Sequence, residues 1–495
     1  MIVSISGTIK RSYAEALCLL YFPGAKFPEG ETPSPDVPTA FFESSFSDGK
    51  AVADVSLTLH GKTVSSHAER FLTERQDPLL TEKIAVGEAF LAVGRELTGR
   101  TPPWGILTGV RPAKVTSKYL AEGLSKEESA AALSETYLVS PEKARLAAAV
   151  SVSEARMLPP DAAEACSVYI AIPFCPSRCS YCSFVSVASP RLLGMIPSYL
   201  EQLITEIHDT FALIRLLGRR VASVYIGGGT PTTLDSKQLD LLLGAIETEI
   251  DPSWLEEFTL EAGRPDTIML EKLLTAKSHG ITRISVNPQT LNEDVLRHIG
   301  RKHTVAQFFE AYETALRAGI PNINVDLIAG LETDTAESFY DSIDKVLLLA
   351  PQNVTVHTFS VKRSADVLQE NRNIYEREAS DAEKSVSYSQ SALLAAGYTP
   401  YYMYRQKNMI GNLENVGYAK PGHESPYNVY MMEEIHSIFG IGASAVTKLI
   451  KPKNNDGVTM ERIFEPKYPY EYLNEDRQRR AAEKRQRILS FYGLI

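Results

Sequence analysis

Two periodicities of apolar residues divide the middle of the chain into short and long segments. Between residues 167 and 359, short apolar and β-branched runs alternate with longer stretches in which apolar residues recur every three or four positions. The short runs predict strands and the long stretches predict amphipathic helices. The predicted strands are residues 167–172, 222–226, 258–261, 283–286, 322–328 and 353–359. The predicted helices between them are residues 198–217, 236–250, 266–279, 305–318 and 335–350.

Six strand–helix units with continuous apolar strands predict a parallel sheet that is covered by helices. Units of this kind curl into a complete or partial barrel, and ligands bind at the carboxyl ends of its strands. We therefore expect an α/β fold whose centre is a partial (β/α)6 TIM-like barrel over residues 166–360. An N-terminal α+β domain over residues 1–165 precedes the barrel, and a C-terminal α+β extension over residues 361–495 follows it.

The segments on either side of the barrel show different patterns. Residues 51–60 alternate as expected of a strand at a sheet edge, and residues 4–21 predict a strand that leads into a helix. Further helices are predicted at residues 77–97, 118–133 and 141–157. Residues 474–491 predict an amphipathic helix with many arginines, and its interleaved acidic residues favour a solvated face over a nucleic-acid surface.

Composition narrows the possible partners and the compartment. The chain has 51 Lys and Arg against 61 Asp and Glu, and the net charge of −10 argues against a long polyanion such as nucleic acid. No apolar run approaches the ~20 residues that cross a bilayer, and the N-terminus lacks the basic segment of a secretory signal. We therefore expect a cytoplasmic protein without a membrane partner.

Three of the five cysteines, Cys175, Cys179 and Cys182, fall within eight residues directly after the first barrel strand. An odd number of cysteines with a local cluster favours metal or redox chemistry over disulfides. Structural zinc sites and [4Fe–4S] electron carriers both use four ligands. Three thiolates would leave one iron of a [4Fe–4S] cluster open to the amino and carboxylate groups of a methionine-like ligand. A zinc knuckle or a set of incidental reduced thiols is the alternative.

Glycine and acidic residues recur where the predicted strands end. The second strand runs into Gly227-Gly228-Gly229-Thr230, where backbone groups without a Cβ in the way can approach a ligand. Glu261 ends the third strand, and a carboxylate in that position of a barrel is typical of a site. Asp326 lies inside the apolar fifth strand, where a charge is costly unless it meets a ligand or a counterion.

The cysteine spacing, its position after the first strand and the glycine run after the second together resemble the radical S-adenosylmethionine (SAM) superfamily. Gln289 and Arg301, which lie twelve residues apart, are similar to a pair in the oxygen-independent coproporphyrinogen III oxidases, also called dehydrogenases. Residues 103–112, 261–266 and 401–408 most resemble the HemZ-like branch of that family.

The resemblance implies that Cys175, Cys179 and Cys182 hold a [4Fe–4S] cluster and that SAM binds its fourth iron. Residues 440–446 would close over SAM. The implied SAM contacts are Tyr169, Tyr181, Gly228, Gly229, Thr230, Glu261, Gln289, Arg301, Asp326, Ser360 and Val446. Core packing is the alternative for the two tyrosines, and a structural ion pair is the alternative for Asp326 or Arg301.

The resemblance also implies an activity, the anaerobic oxidative decarboxylation of coproporphyrinogen III to protoporphyrinogen IX in heme biosynthesis, with flavodoxin or ferredoxin as electron donor. Four carboxylates on a tetrapyrrole call for cationic hydrogen-bond donors. Besides Lys362, Tyr401 and Tyr404, the candidate substrate contacts are Arg111, Arg363, Tyr402, Arg405 and Lys407. An ordinary packed segment over residues 398–407 and a structural role for Arg111 are the alternatives.

Phe184 stands where the family's well-studied bacterial oxidase has a fourth cysteine. The heme-chaperone branch shares this phenylalanine, but its His-Asn-x-x-Tyr-Trp signature is missing from residues 427–433, which contain neither His nor Trp. Two alternatives to the dehydrogenase therefore stay open. One is a heme-binding chaperone with His423 or His436 as a ligand, and the other is a radical SAM enzyme that acts on another porphyrin.

Overall fold

The fold is taken from a computed structural model, whose strands form two sheets. The structure describes residues 1–28, 30, 37–109, 111–159, 161–182, 184, 188–360, 379–406, 409–452, 457–474 and 476–495. Within these ranges, one sheet has four strands and the other has eleven. None of the described helices is both long and apolar enough to span a lipid bilayer. The predicted α/β class with a partial barrel is confirmed.

The four-stranded sheet is formed by the N-terminal residues and is covered by helices. Its elements are β1 Ile2–Gly7, α1 Arg11–Tyr21, β2 Thr39–Ser47, β3 Lys50–Leu59, β4 Lys62–Phe71 and α2 Pro78–Thr98. The predicted strand over residues 51–60 exists, but its predicted edge position is wrong, because β3 pairs with both β2 and β4. Apolar residues of the sheet pack against α1 and α2. The alternation along β3 thus marks a sheet with one buried face rather than an edge.

Three helices lead from this sheet to the barrel: α3 Ala113–Ala121, α4 Lys126–Tyr137 and α5 Pro141–Met157. The prediction of one helix over residues 118–133 is wrong. The chain turns at Gly123, whose φ is +92°, and Ser125 then begins α4 with a capping box that includes Glu128. Leu133 and Val150 belong to the same hydrophobic core as the barrel strands. The predicted domain boundaries at residues 165 and 360 stay predictions.

All six predicted barrel strands are present and run parallel to one another. They are β5 Ala165–Ile172, β6 Arg220–Gly228, β7 Glu257–Leu260, β8 Arg283–Ser285, β9 Asn322–Ala329 and β10 Asn353–Thr358. The barrel helices are α6 Pro190–Leu193, α7 Ile196–Leu216, α8 Ser236–Glu247, α9 Leu270–Ser278, α10 Glu293–His298, α11 Val305–Arg317 and α12 Ala336–Leu349. The five predicted helices are confirmed, whereas α6 and α10 lie in stretches for which no helix was predicted.

The C-terminal region extends the barrel sheet at both edges. Its elements are α13 Ala379–Ala395, β11 Thr399–Tyr404, β12 Asn415–Ala419, α14 Pro426–Glu433, β13 Ser437–Ile441, β14 Val446–Pro452, β15 Val458–Phe464, α15 Pro469–Asn474 and α16 Arg477–Tyr492. Strands β11 and β12 continue the sheet beyond β10, with β12 antiparallel to both neighbours. Strand β13 runs parallel to β5 and carries the β14–β15 hairpin on its other side.

The arginine-rich C-terminal helix is α16, and its basic face is not wholly solvated as predicted. Lys484 is buried, and its Nζ lies 2.8 Å from Glu206 Oε1 and 2.7 Å from Glu465 Oε1. Nζ also donates a hydrogen bond of 2.7 Å to the carbonyl oxygen of Gly440. The helix is therefore fixed to the barrel by a buried ion pair next to the glycine turn after β13.

Polar and aromatic side chains fill the inside of the barrel, while apolar side chains face the helices. Ser167 Oγ of β5 lies 2.7 Å from Ser223 Oγ of β6. At the amino ends of β8 and β7, Arg283 Nε lies 3.3 Å from Glu257 Oε1. Because side chains alternate along a strand, polar residues on one face leave every second position for the helix-covered core. The strands are thus apolar on one face only, and the predicted continuous apolar runs are wrong in this respect.

We predict that Glu414→Ala destabilises the protein by about 3–5 kcal/mol, because it leaves the buried Lys143 ammonium with only the more exposed Glu142, at 3.4 Å, as counterion. Lys143 Nζ lies 2.7 Å from Glu414 Oε1, and Trp104 Nε1 donates a 2.7 Å hydrogen bond to Glu414 Oε2. Urea unfolding measures the loss. The exposed pair of Arg479 and Glu483 provides the control, and Glu483→Ala costs less than about 1 kcal/mol. Equal effects of the two substitutions would contradict the prediction.

Candidate functional site

The cysteine loop follows β5 and packs against the turn after β6. Cys175 and Cys179 are buried and Cys182 is partly buried. Cys175 Sγ lies 3.3 Å from Thr230 Oγ1, and Arg264 Nη1 lies 3.9 Å from Cys179 Sγ. Burial raises the pKa of Cys182 to about 11, so this thiol keeps its proton at neutral pH unless a metal displaces it. The three thiols thus lie on one loop at the carboxyl edge of the barrel, and Cys179 and Cys175 are near enough to Cys182 to raise its pKa as well.

The structure offers no fourth thiolate to this loop. Cys166 is the second residue of β5, and six residues of strand, about 20 Å, separate it from the carboxyl end of that strand. Cys18 is buried in the N-terminal helix–sheet core. No three His, Cys, Asp or Glu side chains of the described ranges converge on a single-ion site. A [4Fe–4S] cluster does not require such convergence, because its cysteines ligate different irons.

The glycine turn after β6 lies directly on the backbone of the cysteine loop. The N–H of Gly229 donates 2.8 Å to Ile172 O, and the N–H of Thr230 donates 2.8 Å to Phe174 O. A Cβ on Gly229 would lie 2.6 Å from Phe174 O, so no larger residue fits without moving the backbone. Gly228 has a φ of +108°, which also favours glycine.

Two acidic side chains at the same edge lack a strong cationic partner. Burial, and then the nearby Asp326, raise the pKa of Glu261 to about 8. Asp326 accepts hydrogen bonds from Asn287 at 2.8 Å and Asn324 at 2.7 Å. Within the described part of the chain, no Lys or Arg pairs with either carboxylate, and His357 Nε2 lies 3.6 Å from Asp326. This region suits a ligand that carries positive charge, as the sulfonium and ammonium groups of SAM do.

Gln289 lies in the loop after β8, and Arg301 contacts the cysteine loop. Gln289 has a φ of +71°, and its buried Oε1 has no hydrogen-bond partner among the described residues. Arg301 donates 3.1 Å to the Tyr181 hydroxyl and 2.9 Å to Gly263 O. Despite its burial, the neighbouring Tyr181 and Cys179 raise the pKa of Arg301. Arg301 forms no ion pair with a described carboxylate, and the hydrogen bonds above hold its guanidinium against the cysteine loop.

The remaining predicted SAM contacts lie around the same opening. Tyr169 of β5 stacks on Tyr225 of β6, with the ring centroids 6.1 Å apart. Ser360 lies two residues after the end of β10 and forms an isolated antiparallel bridge with Met409. Val446 begins β14. The structure therefore gathers the predicted contacts at the carboxyl edge and the adjoining loops, while their roles toward SAM stay predictions.

A cavity of about 570 Å³ opens beside Tyr169. It is lined by aromatic, apolar and charged residues: Arg111, Tyr169, Tyr404, Arg405, Tyr427, Met431, Met432, Glu434, Ile438, Ser444, Val446, Lys448, Arg462 and Phe464. The interior aromatic residues continue from Tyr225 to Tyr427, whose ring centroids are 4.7 Å apart. Sequence reasoning did not select Lys448, Arg462, Phe464 or Tyr427 as contacts. The alternation along residues 446–448 and 462–464 is the signal that could have found three of them.

The predicted substrate contacts fall into three groups. Arg111 and Arg405 line the cavity, but Arg405 is buried and donates to the carbonyl oxygens of Leu107 at 2.5 Å and Asn412 at 3.0 Å. Tyr402 does not line the cavity, and its ring lies over Gly417 of β12. Arg363 and Lys407, like Lys362, lie outside the described residues.

Comparison with known proteins agrees with this geometry. A model of the radical SAM superfamily matches residues 169–346. The fold and the cysteine loop therefore define a radical SAM protein, whose cofactors are a [4Fe–4S] cluster and SAM. The oxygen-independent coproporphyrinogen-III oxidase-like protein HemZ of Bacillus subtilis is 37% identical over 432 residues, which cover 85% of each chain. The chain belongs to this HemZ family of radical SAM proteins.

Two further relatives are more distant. The heme chaperone HemW of Lactococcus lactis is 32% identical over 290 residues, which cover 58% of this chain and 71% of HemW. The solved structure of coproporphyrinogen III oxidase HemN from Escherichia coli is 21% identical, with a TM-score of 0.48, and the match covers 63% of this chain and 74% of HemN.

We predict that Cys175→Ser, Cys179→Ser and Cys182→Ser each abolish the iron–sulfur absorbance and SAM cleavage of the anaerobically reconstituted protein. Each variant leaves two thiolates for the cluster, and no described cysteine lies near enough to replace the lost one. Cys18→Ala and Cys166→Ala serve as matched controls and keep both properties. A full cluster in the Cys179→Ser protein would show that the loop is not the ligand set.

We predict that the cofactor-free protein becomes less stable as the pH rises from 5 to 8, and that Glu261→Gln abolishes this pH dependence. With a folded-state pKa of about 8 against 4.5 as the ordinary value, the folded state binds more protons than the unfolded state in this window. Stability therefore falls as the pH rises, by on the order of 1–3 kcal/mol. Denaturant unfolding at both pH values measures it, with exposed Glu483→Gln as the control. Parallel pH profiles of wild type and Glu261→Gln would refute the prediction.

Proposed function

We propose that the protein is an oxygen-independent coproporphyrinogen III dehydrogenase, which converts two propionate side chains of coproporphyrinogen III into vinyl groups and yields protoporphyrinogen IX. The cavity beside Tyr169 carries this proposal, because it combines aromatic walls with cationic side chains next to the region that suits SAM. The family relationship to the coproporphyrinogen-III oxidase-like HemZ supports it.

The cavity matches the chemistry of a tetrapyrrole with several carboxylates. Its volume of about 570 Å³ lies within the ~300–1,000 Å³ of pockets for drug-sized ligands. Tyr404, Tyr427 and Phe464 offer faces for an apolar macrocycle, and Arg462 offers an exposed guanidinium for a carboxylate. Tyr169 lines the cavity and stacks on Tyr225 of β6, the strand that leads into the glycine turn at residues 227–229. A ligand in the cavity would therefore lie next to SAM.

The reaction needs radical chemistry, since no protein base removes a proton from an unactivated propionate carbon at neutral pH. When bound, the reduced cluster and SAM supply a primary carbon radical that takes up one hydrogen atom. The propionate loses that hydrogen atom from its β-carbon, then carbon dioxide and one electron, which passes to an external one-electron acceptor. The protein's part is to orient the propionate and to exclude water.

We also propose that a small acidic one-electron carrier, a flavodoxin or a ferredoxin, supplies the electron to the cluster. Arg178 of the cysteine loop is exposed, and its carbonyl oxygen lies beside Gly300. Lys302, two residues further along, is exposed as well. Positive charge at this surface suits an acidic partner and speeds its association.

Heme binding is the second candidate function, and the HemW relatives favour it. Phe184, at the position of the fourth cysteine, is 68% exposed. The two candidate heme ligands are engaged elsewhere: His436 lies 2.8 Å from Ser167 Oγ, and His423 Nδ1 lies 2.7 Å from Asn322 Oδ1. Both contacts are at the amino ends of barrel strands, opposite the cysteine loop, so these histidines do not support a heme site near the cluster.

We predict that the reconstituted protein, incubated anaerobically with dithionite, SAM, coproporphyrinogen III and a one-electron acceptor, forms the divinyl product and 5′-deoxyadenosine. Mass spectrometry measures the loss of two carbon dioxide molecules and four hydrogen atoms from the tetrapyrrole. Cys179→Ser is the inactive control.

Other outcomes separate the alternatives. If 5′-deoxyadenosine accumulates while the tetrapyrrole keeps four propionates, the proposed substrate is wrong. Stoichiometric heme uptake without decarboxylation would favour the chaperone, and heme consumption would favour an enzyme that acts on another porphyrin.

A further inference from the structure

The β14–β15 hairpin turns alternating side chains toward the cavity. Val446 and Lys448 of β14 line it, and so do their cross-strand partners Phe464 and Arg462 of β15. Because side chains alternate along a strand, these four form two pairs on one face, separated by about 7 Å along the strands. The pair of Val446 and Phe464 is apolar and directly follows the turn between β13 and β14. The other pair is cationic.

Lys448 of the cationic pair contacts the buried carboxylate of Glu434, which Arg111 and Lys114 contact as well. Lys448 Nζ lies 2.8 Å from Glu434 Oε1, and Arg111 Nη1 lies 2.6 Å from Glu434 Oε2. Lys114 Nζ is 3.4 Å from the same Oε2. Although burial opposes ionisation, hydrogen bonds from Lys448 and Arg111 lower the pKa of Glu434 to about 2. Glu434 is therefore fully ionised and accounts for one negative charge.

Positive charge exceeds negative charge in this wall of the cavity. Arg462 is exposed and forms no ion pair with a described residue, so it adds to the positive charge of Arg111, Lys114 and Lys448. Burial raises the pKa of Glu154 to about 9, and burial also raises the pKa of Glu433. The Glu154 carboxyl is thus neutral at pH 7. Even with Glu434 and Glu433 both counted as ionised, four cations outnumber the carboxylates of this wall, and an anionic ligand would balance the excess.

We propose that Lys448 and Arg462 form a carboxylate-binding subsite of the cavity, and that Val446 and Phe464 receive the adjoining apolar part of the same ligand. The ligand class is an apolar molecule with carboxylate side chains. Identifying that ligand as a tetrapyrrole with propionate side chains rests on the proposed function. The two strands of the hairpin would then contact the carboxylate of the ligand and the edge of its ring together.

Binding of coproporphyrin III, the oxidised tetracarboxylate, tests the subsite without turnover. The full-length reconstituted protein is titrated with this porphyrin, and the dissociation constant is measured by fluorescence. Lys448→Met and Arg462→Met each weaken binding by about 10-fold or more, as expected for a lost charge-assisted hydrogen bond. Lys448→Arg and Arg462→Lys keep binding within a few-fold of wild type.

Controls distinguish the subsite from a folding effect. Lys451→Met changes an exposed lysine of the same strand that does not line the cavity, and it leaves the dissociation constant unchanged. All variants keep wild-type affinity for SAM. Wild-type affinity for coproporphyrin III in both Met variants, or an equal loss in Lys451→Met, would overturn the subsite. Because binding is measured apart from turnover, weaker binding in the variants without divinyl product from wild type would keep the subsite and reject the dehydrogenase.

Discussion

The number of thiolates within reach of one loop is the constraint on which the site depends. Cys175, Cys179 and Cys182 lie on one loop after β5, and the other two cysteines lie elsewhere in the fold. A [4Fe–4S] cluster on this loop therefore needs a fourth ligand from outside the described chain. The glycine turn lies against the loop where such a ligand would bind, since Thr230 contacts Cys175 and Gly229 contacts the loop backbone.

Charge divides the opening of the barrel into two regions of opposite sign. The carboxyl groups of Glu261 and Asp326 lie together at the strand ends without a Lys or Arg partner among the described residues, where a ligand with sulfonium and ammonium groups fits. Lys448, Arg462 and Arg111 concentrate positive charge in the cavity wall, where a carboxylate fits. Tyr169 separates the two regions. A cationic cofactor and an anionic substrate would thus be drawn to neighbouring positions, which is the arrangement that hydrogen-atom transfer between them requires.

Local patterns made much of the fold predictable. Apolar periodicity predicts the six parallel strands and five of the helices between them, and the spacing of Cys175, Cys179 and Cys182 in the sequence predicts the cysteine loop. The break at Gly123 escaped the periodicity because apolar residues continue across it, whereas the turn depends on one backbone conformation. Strand β13 escaped because five residues with a glycine carry little pattern, and only pairing with β5 makes it a strand.

The predicted site divides in the same way. Residues at strand ends could be predicted, because the carboxyl ends of parallel strands meet at one edge. Contacts between distant segments could not be predicted. Arg405 donates to the carbonyl oxygen of Leu107, nearly three hundred positions earlier, and Lys448 reaches Glu434 through the register of a hairpin. Tyr402 reads as a substrate contact from composition, but the fold places it over Gly417.

The central claim is that one iron of the cluster has no protein ligand and accepts SAM. Electron paramagnetic resonance of the dithionite-reduced, anaerobically reconstituted protein tests it directly. On our account, the signal of a reduced [4Fe–4S] cluster changes its g values when SAM is added. A spectrum that is identical with and without SAM, or a purified protein that holds zinc in place of iron, would contradict the account.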